Sequence, residues 1–348
     1  MKKNIKRKLI VFLYGGTGNQ LFQLMACEYI SQIHNRVPFY SDHLLGGHRK
    51  LETADVAKIL SIKKISHQKL AGVKIIEEKN LCYPPLFSNF PDCELLPKED
   101  LILSGNFQNY RIHSKSAVKK LKDFCTNSFR SRSPKEENFI TLHIRELLAS
   151  TNLTKLKTID NLSLEYYKRC LSLIDEDLKL HKKIEIKKAI IFLDTFKDKS
   201  KSLLYKPVLE LLESKGYQVI LGDNLCRNTL EVISLMSRAS FVITSNSTFS
   251  WWGAYLSKGI KLCPIFSFWE TSLTTPDDWI QIHDGNKNPR TWHKLNVYKG
   301  EKIKTKPYSI SNSFLNKLKS FVRRKIHKKF RWRFLNRYDK LKIKSILS

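Results

Sequence analysis

The stretch that most limits what this chain can fold into is residues 241–256, F-V-I-T-S-N-S-T-F-S-W-W-G-A-Y-L. Residues 241–244 form a short β-branched, apolar run with the length of a buried strand. After Ser245, Asn246 and Ser247 the apolar residues return at helical spacing. The pattern reads as a strand, a tight loop and a helix start. Ser and Asn are helix-capping residue types, and the first N–H groups of a helix have no acceptor inside it, so such a turn suits a phosphate. The same residues also fit a plain cap, with Phe249, Trp251 and Trp252 as core aromatics.

The rest of the chain repeats this alternation. Residues 9–14 predict a strand, 21–33 a helix with apolar positions 21, 22, 25, 29, 30 and 33, and 37–40 a second strand ending at Asp42. Between the first two lies the Gly-rich segment 15–20, read as a loop. This β-loop-α-β order is a Rossmann-like opening. A dinucleotide fingerprint fails at its third glycine, where Leu21 stands, which argues against a nicotinamide enzyme. Residues 44–100 offer no usable motif. A strand at 101–103 and a helix over 112–129 follow, and the polar segment 131–138, with Pro134, marks a boundary. The second half restarts with a strand at 139–143, a polar loop at 151–161 and a helix over 164–180. Then come a strand at 189–193 ending at Asp194, a helix over 203–215, a strand at 218–221, a helix near Leu230 and a strand at 261–265. The expected class is α/β, with Rossmann-like domains at 1–135 and 136–300 and a basic tail at 301–348.

At 348 residues the chain is long enough for two well-buried cores. Its seven cysteines, at 27, 82, 93, 125, 170, 226 and 263, show no C-x-x-C spacing, which favours reduced thiols over a disulfide framework or zinc site. The apolar run after the basic N-terminus is too short for a signal peptide, and no segment approaches a membrane span. The expectation is therefore a cytoplasmic protein. The net charge is +30, and residues 301–348 hold 16 Lys and Arg against 2 acids. From Phe314 onward Leu318, Val322, Ile326, Phe330 and Phe334 recur every fourth residue among basic residues, the pattern of an amphipathic helix lying on an anionic membrane surface. The same charge, with Phe330, Trp332 and Phe334 interleaved, keeps a nucleic-acid-binding protein as a less favoured reading.

Several motifs resemble glycosyltransferase family 11, the α-1,2-fucosyltransferases: Gly15-Gly-Thr-Gly-Asn-Gln-Leu-Phe-Gln23, Gly105-Asn-Phe-Gln-Asn109, His143-Ile-Arg145, Tyr166-Tyr167, Asn246-Ser-Thr-Phe-Ser-Trp-Trp252 and Trp279-Ile280, in the family's order. The resemblance implies a GT-B-like architecture and inverting transfer of L-fucose from GDP-L-fucose to a galactose-like hydroxyl. The acceptor side would be the first domain and the donor side the second. It implies an oligosaccharide or lipid-linked glycan acceptor, such as a lipopolysaccharide precursor. With the basic tail, it places the protein on the inner face of a bacterial membrane.

Such a reaction must stabilise charge on the departing diphosphate. Asp175-Glu176-Asp177 has metal-ligand spacing but lies in a lysine-crowded helical stretch, so a donor site without metal ion or other cofactor is expected. Arg145, past the end of the 139–143 strand, is the leading cation, and the family role of holding the donor's β-phosphate carries over to it. His143, two positions earlier, shares its side of the strand. Ser245, Asn246, Ser247 and Thr248 form the second donor element, and Gly16, Gly18, Asn19 and Gln20 a loop facing the ligand. For the base, Asp194, Glu146 and Asp42 are the acids considered. Two departures stand out: Glu146-Leu147-Leu148-Ala149 replaces the family's Arg-Gly-Asp-Tyr, and Phe192-Leu193-Asp194-Thr195 replaces F-S-D-D. A divergent member with another donor, or with little activity, is the alternative.

Overall fold

Two six-stranded sheets carry the architecture in a computed structural model that describes residues 7–45, 53–77, 99–129, 138–146, 162–178, 185–194, 202–264, 275–276, 278–282 and 306–307. The first sheet contains β1 (Lys8–Phe12), β2 (Val37–Ser41), β3 (Lys63–Lys64), β4 (Lys74–Glu77), β5 (Leu101–Ser104) and β12 (Lys306–Pro307), in the order β12-β4-β5-β1-β2-β3. All its pairings are parallel except β12 on β4. The second sheet contains β6 (Phe139–Arg145), β7 (Lys188–Asp194), β8 (Gln218–Leu221), β9 (Phe241–Ile243), β10 (Ile260–Pro264) and β11 (Ile280–Ile282), in the order β11-β10-β9-β6-β7-β8. Read from β8 and counting β6 as first, this is the doubly wound order 3-2-1-4-5-6, entirely parallel. The α/β architecture expected from the alternation, with two Rossmann-like parallel-sheet units, is present.

The helices are α1 (Thr17–Ile33), α2 (Ala54–Ile59), α3 (Lys115–Ser128), α4 (Leu164–Leu173), α5 (Tyr205–Ser214), α6 (Thr229–Ser237) and α7 (Thr248–Leu256). Strand alternation decides what each face meets. In β6, Ile140, Leu142 and Ile144 pack with Tyr166, Cys170 and Leu212 on the outer face, while Phe139 joins the cluster between the sheets. Leu9 and Val11 of β1, with Leu13 just after it, join that same cluster, and Ile10 and Phe12 face away. The central cluster runs from β1 and α1 through α3, α6 and α7 to Ile190 and Phe192 of β7, so the two sheets share one apolar core.

Several expectations need amending. The helix predicted from Leu21 begins at Thr17, so Gly18, Asn19 and Gln20 form its first turn and not a loop. The cause is Gly16, whose extended backbone makes it the N-cap residue. Residues 44–100, unread in the sequence, supply α2, β3 and β4. The helix over 164–180 is α4 followed by a π-helical turn, Ile174–Leu178. At its head the 301–348 segment gives β12, on the edge of the first sheet. The boundary near residue 135, the 151–161 loop and the amphipathic run from Phe314 lie outside the described residues. No helix among the described residues is long and apolar enough to cross a membrane.

Candidate functional site

Open parallel sheets bind ligands where strand order reverses, beyond the C-terminal strand ends. In the second sheet that point lies between β6 and β9. β6 ends at Arg145 and β9 leads into Ser245, Asn246 and Ser247, so the two halves of the predicted donor site converge there. Arg145 Nη1 donates to the Asn246 carbonyl at 3.0 Å, which places the guanidinium on the loop that starts α7. Ser247 is the N-cap: its Oγ accepts from the Phe249 N–H at 3.2 Å. Ser245 is pinned from below, its N–H donating to Ser250 Oγ at 3.2 Å and its Oγ meeting His143 Nδ1 at 2.6 Å. His143 is buried, so its part is to hold the loop. Tyr166 and Tyr167, neighbours on α4, donate to the carbonyls of Thr244 (2.8 Å) and His143 (3.0 Å), satisfying acceptors at the ends of both strands.

The first sheet has its own reversal point, between β1 and β5. The turn after β1 uses Gly15 at φ +81°, a backbone that favours glycine, and then opens α1. Gln23 ties this turn to the β5 loop, accepting from the Tyr14 N–H at 3.1 Å and donating to the Gly105 carbonyl at 3.3 Å. Gln20 is occupied at both ends, donating to the Gly15 carbonyl at 3.2 Å and accepting from the Thr53 hydroxyl at 2.9 Å. It shapes the turn and does not reach outward. Asn19 accepts from Gln108 Nε2 at 3.1 Å.

The two reversal points meet at Gly18. A Cβ there would lie 2.6 Å from the Phe249 nitrogen and the Thr248 carbonyl carbon, so the first turns of α1 and α7 touch backbone to backbone. Trp252 Nε1 donates to the Gly18 carbonyl at 2.9 Å, and Thr17 Oγ1 lies 3.1 Å from Thr229 Oγ1 at the start of α6. Three helix starts thus converge. Glu231 sits in the first turn of α6, where it accepts from the Arg227 N–H at 2.7 Å, whereas α1 and α7 carry no acid in their first turns. Two positive dipole ends without acidic compensation, with Arg145 bonded to the loop of one, favour an anion. Trp251 and Trp252 are fully buried and pack on Phe22 at centroid distances of 4.7 and 5.0 Å, so they are core aromatics.

The acids sort themselves by their partners. Glu146, which breaks the family pattern, is buried and accepts from the N–H groups of Leu203 (3.0 Å) and Leu204 (3.2 Å) and from the Ser202 hydroxyl. Ser202 in turn accepts from the Tyr205 N–H, so Glu146 anchors the start of α5. Asp42 pairs with Lys64 at 2.7 Å. Asp175 accepts from Lys215 at 2.8 Å and from the Tyr217 hydroxyl at 2.6 Å, so the first acid of the 175–177 run is structural. Asp194 ends β7 in register with Arg145. Sequence reasoning gave no role to Gln108, Gln23 or the tyrosine pair; buried amides and hydroxyls have no periodicity to announce them.

No protein-family model matches the sequence, and no curated protein matches it. Among solved structures the chain is similar to the fucosyltransferase NodZ from Bradyrhizobium, at 12% identity over 73% of this chain and 94% of that one, with a TM-score of 0.41. It is also similar to the E. coli ADP-heptose LPS heptosyltransferase II, at 9% identity over 74% and 84% of the two chains, TM-score 0.38. A third similar structure is FUT1 of Arabidopsis thaliana in complex with GDP, at 12% identity over 78% and 72%, TM-score 0.40. These likenesses are of architecture, at identities that transfer no site residue.

Proposed function

We propose that the protein is a glycosyltransferase resembling family 11, which moves L-fucose from GDP-L-fucose, with inversion and without a metal ion, to a galactose-like hydroxyl. The observation that carries this reading is Arg145 bonded to the loop before α7, whose helix start, without acidic compensation, touches that of α1 where both sheets reverse. As the sugar–phosphate bond breaks, negative charge builds on the departing diphosphate. Arg145 and the positive end of the α7 dipole are fixed in place for it and need no reorganisation. Ser245, Asn246, Ser247 and Thr248 form that donor element, and Gly16, Gly18 and Asn19 close the other side.

Inversion requires a base for the acceptor's proton. Glu146 and Asp42 are committed to partners within the protein, which leaves Asp194, beside Arg145 in the sheet, as the acid assigned that role. The α-1,2 linkage and a surface-glycan or lipopolysaccharide precursor as acceptor follow from the family resemblance, and the basic tail supports docking to an anionic leaflet. Full-length protein is expected to float with phosphatidylglycerol vesicles and not with phosphatidylcholine ones.

The direct test is calorimetric titration with GDP, and transfer assays with GDP-L-fucose and β-galactosides, in EDTA. GDP binding and product formation are expected, with kcat about 10²–10⁴-fold lower for Asp194→Asn and GDP affinity unchanged. Loss of GDP binding in EDTA would defeat the metal-free reading; unaltered kcat in Asp194→Asn would remove the base.

A further inference from the structure

We propose that Gln108 and Asn109, with Asn19, form a subsite for a sugar hydroxyl at the reversal point of the first sheet; the proposal rests on the glycosyltransferase reading above. β5 ends beside β1, and the loop after it passes through Phe107 at φ +53° before presenting Gln108 to the first turn of α1. Gln108 is 6% exposed and Asn109 fully buried. Each uses one end of its amide in the protein: Gln108 Nε2 donates to Asn19 Oδ1 at 3.1 Å, and Asn109 Oδ1 accepts from the Arg111 N–H at 2.9 Å. The other ends, Gln108 Oε1 and Asn109 Nδ2, are buried without a hydrogen-bond partner among the described residues.

Buried polar atoms are nearly always paired, and two orphans on adjacent residues at a sheet's reversal point mark a place that a ligand completes. The chemistry of the pair narrows the ligand. Gln108 Oε1 needs a donor, which a phosphate oxygen cannot supply; Asn109 Nδ2 needs an acceptor. A hydroxyl-bearing neutral group offers both. The position agrees: Asn19 follows Gly18, whose backbone touches α7, so the amides adjoin the proposed diphosphate site. The turn that leads into α1 opens on space, since a Cβ on Gly16 would have no heavy atom within 4 Å. The hydroxyl belongs either to the sugar of the donor or to that of the acceptor.

The test is calorimetry on the full chain and on Gln108→Met, which keeps the volume and removes both polar atoms, using three probes: GDP, GDP-L-fucose, and lactose added to GDP-loaded protein. GDP should bind both proteins within about twofold. Affinity for GDP-L-fucose should fall about tenfold if the donor sugar is held, and for lactose about tenfold if the acceptor is held. Gln108→Ala serves in place of the Met variant should that one not fold. Unchanged affinity for both sugar-bearing probes, or an equal loss for GDP itself, would overturn the subsite. Wild-type protein that does not bind GDP would overturn the donor reading and the subsite with it, a failure visible before any variant is made.

Discussion

The two sheets reverse their strand order in the same way yet equip the reversal point differently. In the second sheet the crossing from β6 to β9 brings a cation, Arg145, and hydroxyls onto the loop before α7. In the first, the crossing from β1 to β5 brings the neutral amides Gln20, Gln23, Gln108 and Asn19, mostly bonded to one another or to backbone. One scaffold thus sets a cationic edge beside an amide-lined edge, the pair that the proposed sugar-nucleotide donor would need side by side. The Gly18 contact with α7 fixes their spacing, and the shared aromatic core makes the two edges one unit.

The largest expected effect comes from breaking the joint. Trp252 is fully buried and donates to the Gly18 carbonyl, so Trp252→Ala is expected to cost about 3–5 kcal/mol in urea unfolding. If the two sheets then unfold in separate transitions, the joint is what couples them; a loss under about 1 kcal/mol would mean that they stand independently. Next is the charge itself. Arg145→Ala should weaken GDP by about 10–100-fold, the worth of a charge-assisted hydrogen bond to phosphate, while leaving the unfolding midpoint nearly unchanged. Smaller again is Glu146→Ala, which removes the anchor of α5 and should cost about 1–2 kcal/mol of stability with GDP affinity preserved. A matching loss of GDP affinity would return Glu146 to the site.

The effect that is smallest at neutral pH concerns acid. His113 lies against Trp252, rings stacked at 5.0 Å, and both of its nitrogens are unpartnered among the described residues. Burial pushes its pKa down to about 3, so the folded protein keeps the imidazole neutral while the unfolded chain, near 6.5, takes up a proton. Stability from this residue is present above pH 6.5 and is lost as pH falls towards 3, by up to about 1.4 kcal/mol per pH unit. His113→Phe should flatten that fall, measured as urea midpoints between pH 7 and 5; an unchanged slope would place the acid sensitivity elsewhere.

Much of this was legible beforehand, and for physical reasons. Short continuous apolar runs announced β1, β6 and β9, helical apolar spacing announced α1 and α7, and the capping chemistry of Ser247 marked the helix start that the structure shows. Short elements under mixed polarity, such as β3 and α2, carry no such signal. Glycines at 15, 16 and 18 read as loop, yet Gly18 is inside the first turn of α1 for the close approach it allows to Thr248 and Phe249. Glu146 looked like a lost cation and a gained acid in the site; only its long-range partners on residues 202–204 show that it supports α5. Contacts of this kind join residues far apart in the chain and leave no trace in local spacing.

The most direct test is a crystal of the full chain soaked with GDP in EDTA. The account predicts the diphosphate between the Arg145 guanidinium and the Ser247–Thr248 backbone, with the turn at Gly16 facing it across the junction. GDP bound away from that junction, or no GDP bound at all, would contradict it.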